Sequence, residues 1–287
     1  VSTAYLNGQW APLAATRVSV LDRGFLFGDG VYEVIPVYAG CLFLLQEHLA
    51  RLERSMTAVG IDAPCDRSQW VVLLEELVAR NEAQLSAVYL QVTRGIATRE
   101  HAFPSDVVPT VLAMALGHQK RDPAHGVRAV ICPDNRWARC DIKAITLLPN
   151  VLLRQQALEV QAEEAILSRD GLITEGAASN VFIVHQDQLL TPARGPTLLA
   201  GITRALVMDL ASAAGYPCRE ASLSETQLRH ADEVWLTAST MEIVPVVEVD
   251  GHAIGQGRPG PVWEQMNALF RERVNTACST PWSLGSG

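Results

Sequence analysis

Apolar and polar positions follow two periods along this chain. Residues 47–59 (EHLARLERSMTAV) set Leu49, Leu52, Met56 and Val59 three or four apart, the spacing of one helix face, and Gly60 closes the run. Residues 68–80 repeat the pattern with Ser68 as the N-cap, and further helices are expected over 150–161, 201–214 and 261–274. Strands are predicted over 18–21, 31–38, 41–45, 87–93 and 107–116, the second and third forming a hairpin about Ala39-Gly40. Later strands are predicted over 127–132, 165–168, 172–174, 181–185, 188–190, 233–237 and 244–249, with Asp170-Gly171 and Asp250-Gly251 as tight turns. No regular strand–helix–strand series is evident. Between the two groups, GHQKRDPAHG (117–126) turns polar and gathers charge, proline and glycine. The expected class is α+β, with two mixed α/β domains: a smaller N-terminal domain over 1–117, a linker over 118–126 and a larger C-terminal domain over 127–287.

Composition narrows the picture. A length of 287 residues suits two domains, and 48% hydrophobic with 19% charged residues suits a globular chain with a sizeable core. A net charge of −8 without a basic stripe argues against a nucleic-acid partner. No apolar run approaches the roughly 20 residues of a membrane helix. The opening VSTAYLNGQWAPLAA lacks a charged start and an apolar core, so no leader and a cytoplasmic location are expected. Six cysteines show no CxxC spacing and are expected to be reduced thiols; seven scattered histidines predict no metal site. Of the 23 basic residues only Lys120 and Lys143 are lysines, so chemistry that needs a lysine amine has two candidates.

Several segments carry chemistry. Lys143, in DNRWARCDIK, follows arginines and precedes an apolar stretch; desolvation and nearby cations favour a neutral amine able to form a Schiff base. The alternative is a surface lysine snorkelling from a strand end. Glu175, in TEGAASNVF, sits among small residues where a carboxylate could approach a flat ring; the alternative is a solvated hairpin residue. GITR (201–204) opens a helix whose first N–H groups, at Ile202 and Thr203, could hold a phosphate with the Thr203 hydroxyl, or could simply be capped. Ser239 and Thr240 offer hydroxyls at a strand end, which turn chemistry explains equally well. Tyr32, Arg99 and His101 could bind a carboxylate, or belong to an ordinary exposed loop. Arg51, on the first helix, reads by itself as a solvated arginine.

The order of these segments says more than any one of them. DRGFLFGDGVYE, QVTRG with the following REHAFP, RWARCDIK, TEGAASNVF, GITR and TASTMEIVPVVEVDG together resemble, over nearly the whole chain, the class IV (fold-type IV) family of pyridoxal-phosphate enzymes. The Arg-x-His of Arg99 and His101 is most similar to the D-amino acid aminotransferases of that family. The resemblance implies a fold-type IV architecture with pyridoxal 5'-phosphate at the domain interface and a homodimer. It implies that Lys143 forms the Schiff base and carries the proton, and that Glu175 pairs with the pyridine nitrogen. Arg51, the N–H groups of Ile202 and Thr203, and the hydroxyls of Thr203 and Ser239 would hold the phosphate, with Thr240 contributing less directly. Leu199 would pack beside the cofactor, Arg136 would support its phenolate side, and Tyr32, Arg99 and His101 would trap the substrate carboxylate. The implied activity moves an amino group between a D-amino acid such as D-alanine and a 2-oxo acid such as 2-oxoglutarate. The alternatives within the fold are 4-amino-4-deoxychorismate lyase and branched-chain L-amino acid aminotransferase. The chain departs from its relatives at Ala178, where they carry a serine, at Ser239, which replaces a threonine, and at Pro36 on the strand after GVYE.

Overall fold

The computed structural model describes residues 2–81, 85–117 and 125–279. They form two compact units: the described residues of Val1–Gln119, Ile142–Thr146 and Thr276–Gly287, and those of Lys120–Asp141 and Leu147–Asn275. Most of the expected linker, residues 118–124, lies outside the described residues.

The first unit is an antiparallel sheet with helices on it. In chain order come β1 (Thr3–Leu6), β2 (Gln9–Pro12), α1 (Arg23–Phe27), β3 (Gly30–Tyr38), β4 (Cys41–Leu42), α2 (Leu45–Val59), α3 (Arg67–Ala79), β5 (Leu85–Thr93) and β6 (Thr110–Gly117), and the strand order is β2-β1-β6-β5-β3-β4. Strand β3 alternates: Val31, Glu33, Ile35 and Val37 are buried, while Tyr32 and Val34 are only partly covered. The core joins Val31, Ile35 and Val37 to Leu49, Leu52 and Met56 of α2 and Trp70, Leu74 and Leu77 of α3.

Three expectations change here. The segment 18–21 is irregular, and the strands near the N-terminus are instead β1 and β2, joined by Asn7-Gly8 with φ of 47° and 87°, a turn that favours Asn-Gly. Leu45 starts α2 rather than ending a strand. Asp66, not Ser68, caps α3: its side chain accepts from the Gln69 N–H while the Gln69 side chain accepts from the Asp66 N–H.

Residues 142–146 group with this first unit, whereas the sequence places Lys143 with the C-terminal domain. Backbone pairing accounts for the difference. Strand β4 pairs with β3 only at Val37 and Tyr38, leaving the opposite end of that edge open. The segment fills it: Tyr32 N–H donates to Lys143 O (3.0 Å), Ile145 N–H donates to Gly30 O (3.0 Å), and Ala144 bridges Val31.

The second unit contains β7 (Val127–Pro133), α4 (Leu148–Glu159), β8 (Glu164–Arg169), β9 (Leu172–Gly176), β10 (Asn180–His185), β11 (Gln188–Pro192), α5 (Ile202–Ala213), β12 (Cys218–Ala221), α6 (Glu225–Arg229), β13 (Glu233–Ala238), β14 (Glu242–Val249), β15 (His252–Ala253) and α7 (Pro261–Cys278), whose last residues group with the first unit. The sheet runs β12-β11-β10-β13-β14-β7-β8-β9, with β15 on β14. It is mixed. The pairs β7–β8 and β11–β12 are parallel, with α4 and α5 in the respective crossovers, so two separate strand–helix–strand units are present within the mixed sheet. The expected hairpins at Asp170-Gly171 and Asp250-Gly251 are present. Helices and strands in both units give the α+β class.

Cys41 and Cys278 form a disulfide with their Cα atoms 5.6 Å apart, which overturns the expectation of reduced thiols for this pair; Cys65, Cys132, Cys140 and Cys218 are free. Partners 237 residues apart leave no spacing signal in the sequence.

Candidate active site

Lys143 is partly buried in the first unit. Its backbone is fixed by the bond from Tyr32 and by its own N–H donating to Ser55 Oγ on α2 (3.3 Å). Its ammonium nitrogen lies 4.1 Å from the centroid of the Tyr32 ring, which itself stacks on Tyr89 at 5.6 Å. One expected pair, the amine and the carboxylate-binding tyrosine, is therefore brought together.

Glu33 points the other way from Tyr32, into the buried face of β3. Arg51 donates to it twice, Nε to Oε1 (2.7 Å) and Nη2 to Oε2 (2.8 Å), and His48 Nδ1 is 2.8 Å from Oε2. Burial raises the Glu33 carboxyl, but Arg51 and then His48 outweigh it and hold it at about 2. Burial keeps the His48 imidazole below its usual range, against the pull of Glu33. Arg51 is thus a buried ion-pair member rather than a solvated arginine. Glu33 and His48 were not singled out in the sequence, although Glu33 ends the motif DRGFLFGDGVYE and His48 stands three residues before Arg51 on α2.

Arg99 and His101 are exposed, on the irregular segment between β5 and β6. Both gather on Phe27: the Arg99 guanidinium carbon is 5.3 Å from that ring's centroid and the His101 ring 5.5 Å. Their ring partner is thus Phe27, while that of Tyr32 is Tyr89.

In the second unit Glu175, next to last in β9, is buried at 5% exposure. Arg136 Nη1 donates to its Oε1; Oε2 accepts from Asn180 Nδ2 (3.1 Å) and from the Leu199 N–H (3.0 Å). Burial pushes this carboxyl up to about 7, against the pull of Arg136. Asp134 holds Arg136 from behind, through Nε (2.9 Å) and Nη2 (3.0 Å), and accepts the Thr174 hydroxyl (3.0 Å). Arg136 is therefore the ion partner of Glu175. Gly176 answers to the chain's own packing, since a Cβ there would meet Ser179 Oγ at 2.1 Å.

The remaining expected residues surround the start of α5. Gly201 is its N-cap, makes no side-chain cap bond, and has no room for a Cβ because Asn180 Oδ1 would lie 2.0 Å away. Ile202 and Thr203, both buried, present first-turn N–H groups without intrahelical acceptors. The Leu199 backbone serves Glu175 and Asn180, its carbonyl accepting from Asn180 Nδ2 at 2.8 Å. Ser239 is half-buried and Thr240 exposed in the turn between β13 and β14. Thr237, opposite Asn180 in the β10–β13 register, has a buried hydroxyl without a hydrogen-bond partner among the described residues. Asn180 lies inside a quoted motif, but no local feature marks it as the link between β9, β10 and α5.

A family model described as amino-transferase class IV matches residues 30–249. A D-alanine aminotransferase of Bacillus licheniformis is 41% identical over 270 residues, which cover 93% of this chain and 95% of that protein. A D-alanine aminotransferase of Staphylococcus haemolyticus is 35% identical over 282 residues, covering 97% and 100%. Among solved structures, the branched-chain amino acid aminotransferase from Escherichia coli has a TM-score of 0.88 at 26% identity, covering 98% of this chain and 97% of that one.

Proposed function

Because this chain belongs to the class IV aminotransferases, enzymes that use pyridoxal 5'-phosphate, we propose that it transfers an amino group from a D-amino acid such as D-alanine to a 2-oxo acid such as 2-oxoglutarate, giving pyruvate and D-glutamate. The observation that carries this is the 41% identity to a D-alanine aminotransferase across 93% of the chain.

The residues present fit such a cofactor in their donor chemistry: a lysine amine, a buried carboxyl, a helix start whose N-cap makes no side-chain bond, and a buried hydroxyl lacking a partner among the described residues. When bound, the cofactor supplies a ring that absorbs the charge left as a substrate proton departs. Lys143 holds it through its amine and, when free, takes and returns a proton at Nζ. Glu175 binds the pyridine nitrogen, and Arg136 draws that carboxyl toward its charged form against the burial that raises it. Arg51, the N–H groups of Ile202 and Thr203, and the Thr203 and Ser239 hydroxyls bind the phosphate, assisted by Thr240; the Leu199 side chain packs beside the ring. Tyr32, Arg99 and His101 bind the substrate carboxylate.

The enzyme works in this reading as a cytoplasmic homodimer. Support for a second copy comes from large apolar residues that the first unit leaves exposed. Val20 is 71% exposed, Phe25 70% and Val108 82%, with Leu21 and Ile96 also exposed. Among the described residues no helix is long and apolar enough to cross a membrane.

Borohydride reduction of the loaded enzyme followed by peptide mapping is expected to place the label on Lys143; a label on Lys120 overturns the assignment. A substrate panel followed by cofactor absorbance is expected to respond to D-alanine and D-glutamate. A response to L-leucine alone would favour the second reading, a branched-chain L-amino acid aminotransferase, which the Escherichia coli structure supports.

A further inference from the structure

The segment that carries Arg99 and His101 is held by side chains other than its own. Arg23, the first residue of α1, is only 3% exposed. Its Nη1 donates to Glu100 O (2.6 Å) and Ala102 O (3.4 Å), and its Nη2 to His101 O (3.4 Å), so one guanidinium takes three consecutive carbonyls. Its Nε donates to Asp29 Oδ2 at 2.7 Å. From the other side Arg94, 5% exposed, donates to Asp29 through Nε (2.8 Å) and Nη2 (3.0 Å) and to the carbonyls of Gly60 (2.6 Å) and Val59 (2.7 Å). The Arg94 guanidinium also lies 3.6 Å from the Phe103 ring centroid, in the same segment. Phe27, four residues after Arg23, is the platform on which Arg99 and His101 rest, and it contacts Arg23 at 4.8 Å.

Burying two guanidinium groups is costly unless each finds acceptors. Here Asp29 is the carboxylate both share, backbone carbonyls take the remaining donors, and those of Arg23 lie immediately around the two substrate-binding candidates. A lysine at position 23 would keep the charge but could not span Asp29 and three carbonyls, because its donors radiate from one nitrogen.

We propose that Arg23 and Asp29 are positioning residues for substrate recognition: they fix the backbone of residues 100–102 so that Arg99 and His101 meet the carboxylate in a set geometry. This rests on the assignment of Arg99 and His101 as the carboxylate binders.

The test compares the preferred amino acid with the matching amino alcohol, which lacks the carboxylate, in the half-reaction of the loaded enzyme. Arg23→Lys is expected to raise KM for the amino acid about tenfold, the cost of a lost charge-assisted contact. Its kcat, its cofactor spectrum and the amino-alcohol rate should stay close to those of the parent enzyme. Asp29→Asn is read in the same way and stands in if Arg23→Lys does not fold. Arg99→Lys tests the underlying assignment: an unchanged KM there removes the carboxylate-binding role itself. A raised KM in Arg99→Lys with an unchanged KM in Arg23→Lys overturns the clamp alone. Equal slowing of amino acid and amino alcohol, together with lost cofactor, reduces Arg23 to a general structural role and also overturns the proposal.

Discussion

At the scale of single residues, sequence order singles out Lys143, Glu175 and Arg51 as candidates but not the ion partners of the last two. The partners lie on other elements: Arg136 is 39 residues from Glu175, and Glu33 and Arg51 are 18 apart. The cluster of Glu33, His48 and Arg51 yields a pH prediction. The Glu33 carboxyl sits at about 2 in the fold against an ordinary 4.5, so the stability it contributes is present above 4.5 and is lost as pH falls from there toward 2. His48 works in the same direction, since an imidazole held below its usual range resists the proton that the unfolded chain accepts. Replacing Glu33 by Gln leaves a buried guanidinium without its carboxylate, and is expected to cost about 3–5 kcal/mol near neutral pH. Urea unfolding of the parent and of Glu33→Gln across the acid range checks both parts: the variant should start lower and lose less on acidification. Parallel curves would mean that the carboxylate is not the titrating group.

At the scale of elements, helix periods and tight turns were legible because they are local, and long-range pairing was not. The parallel pairs β7–β8 and β11–β12 depend on crossovers that no short window contains. The Asn7-Gly8 hairpin was available in principle, as a strong turn signal between two short strands, and the competing apolar run at 18–21 drew the strand assignment instead. The glycines of DRGFLFGDG read as a plain turn from sequence, which holds for Gly28, the left-handed C-cap of α1 with φ of 67°, while Gly24 and Gly30 answer to close approach. A Cβ on Gly24 would meet Thr93 Cγ2 at 2.3 Å, and one on Gly30 would meet Val92 O at 2.8 Å and Ile145 Cδ1 at 2.9 Å. Gly30 thus lets the Lys143 segment lie against β3 while β5 pairs on the other side. Gly30→Ala is expected to destabilise by about 1–3 kcal/mol in denaturant unfolding. Gly195→Ala, where nothing lies within 4 Å and φ is not positive, should stay within about 0.5 kcal/mol of the parent. Equal effects at the two positions would remove close packing as the explanation.

At the scale of the whole molecule, two units are present, and their membership does not follow chain order. Residues 142–146 join the first unit through backbone pairing, and so does the end of α7, where Cys278 bonds Cys41 at the start of β4. That bond closes a loop spanning 237 residues of sequence, so it restricts the unfolded chain far more than the folded one. Disulfides contribute typically about 2–4 kcal/mol, with longer loops toward the upper part of that range. Non-reducing peptide mapping of the oxidised protein is expected to recover a Cys41–Cys278 linked pair. Adding a reductant should lower the unfolding midpoint, and Cys41→Ser should reproduce the lower value and no longer respond to reductant. The four free thiols provide the internal control, because their blocking should not move the midpoint of Cys41→Ser. In a glutathione-buffered compartment the same two cysteines are exposed to thiol exchange, so the bond there depends on the redox poise. If reductant leaves the parent midpoint unchanged, the pair is not covalently joined, and the end of α7 is held on the first unit by non-covalent contacts alone.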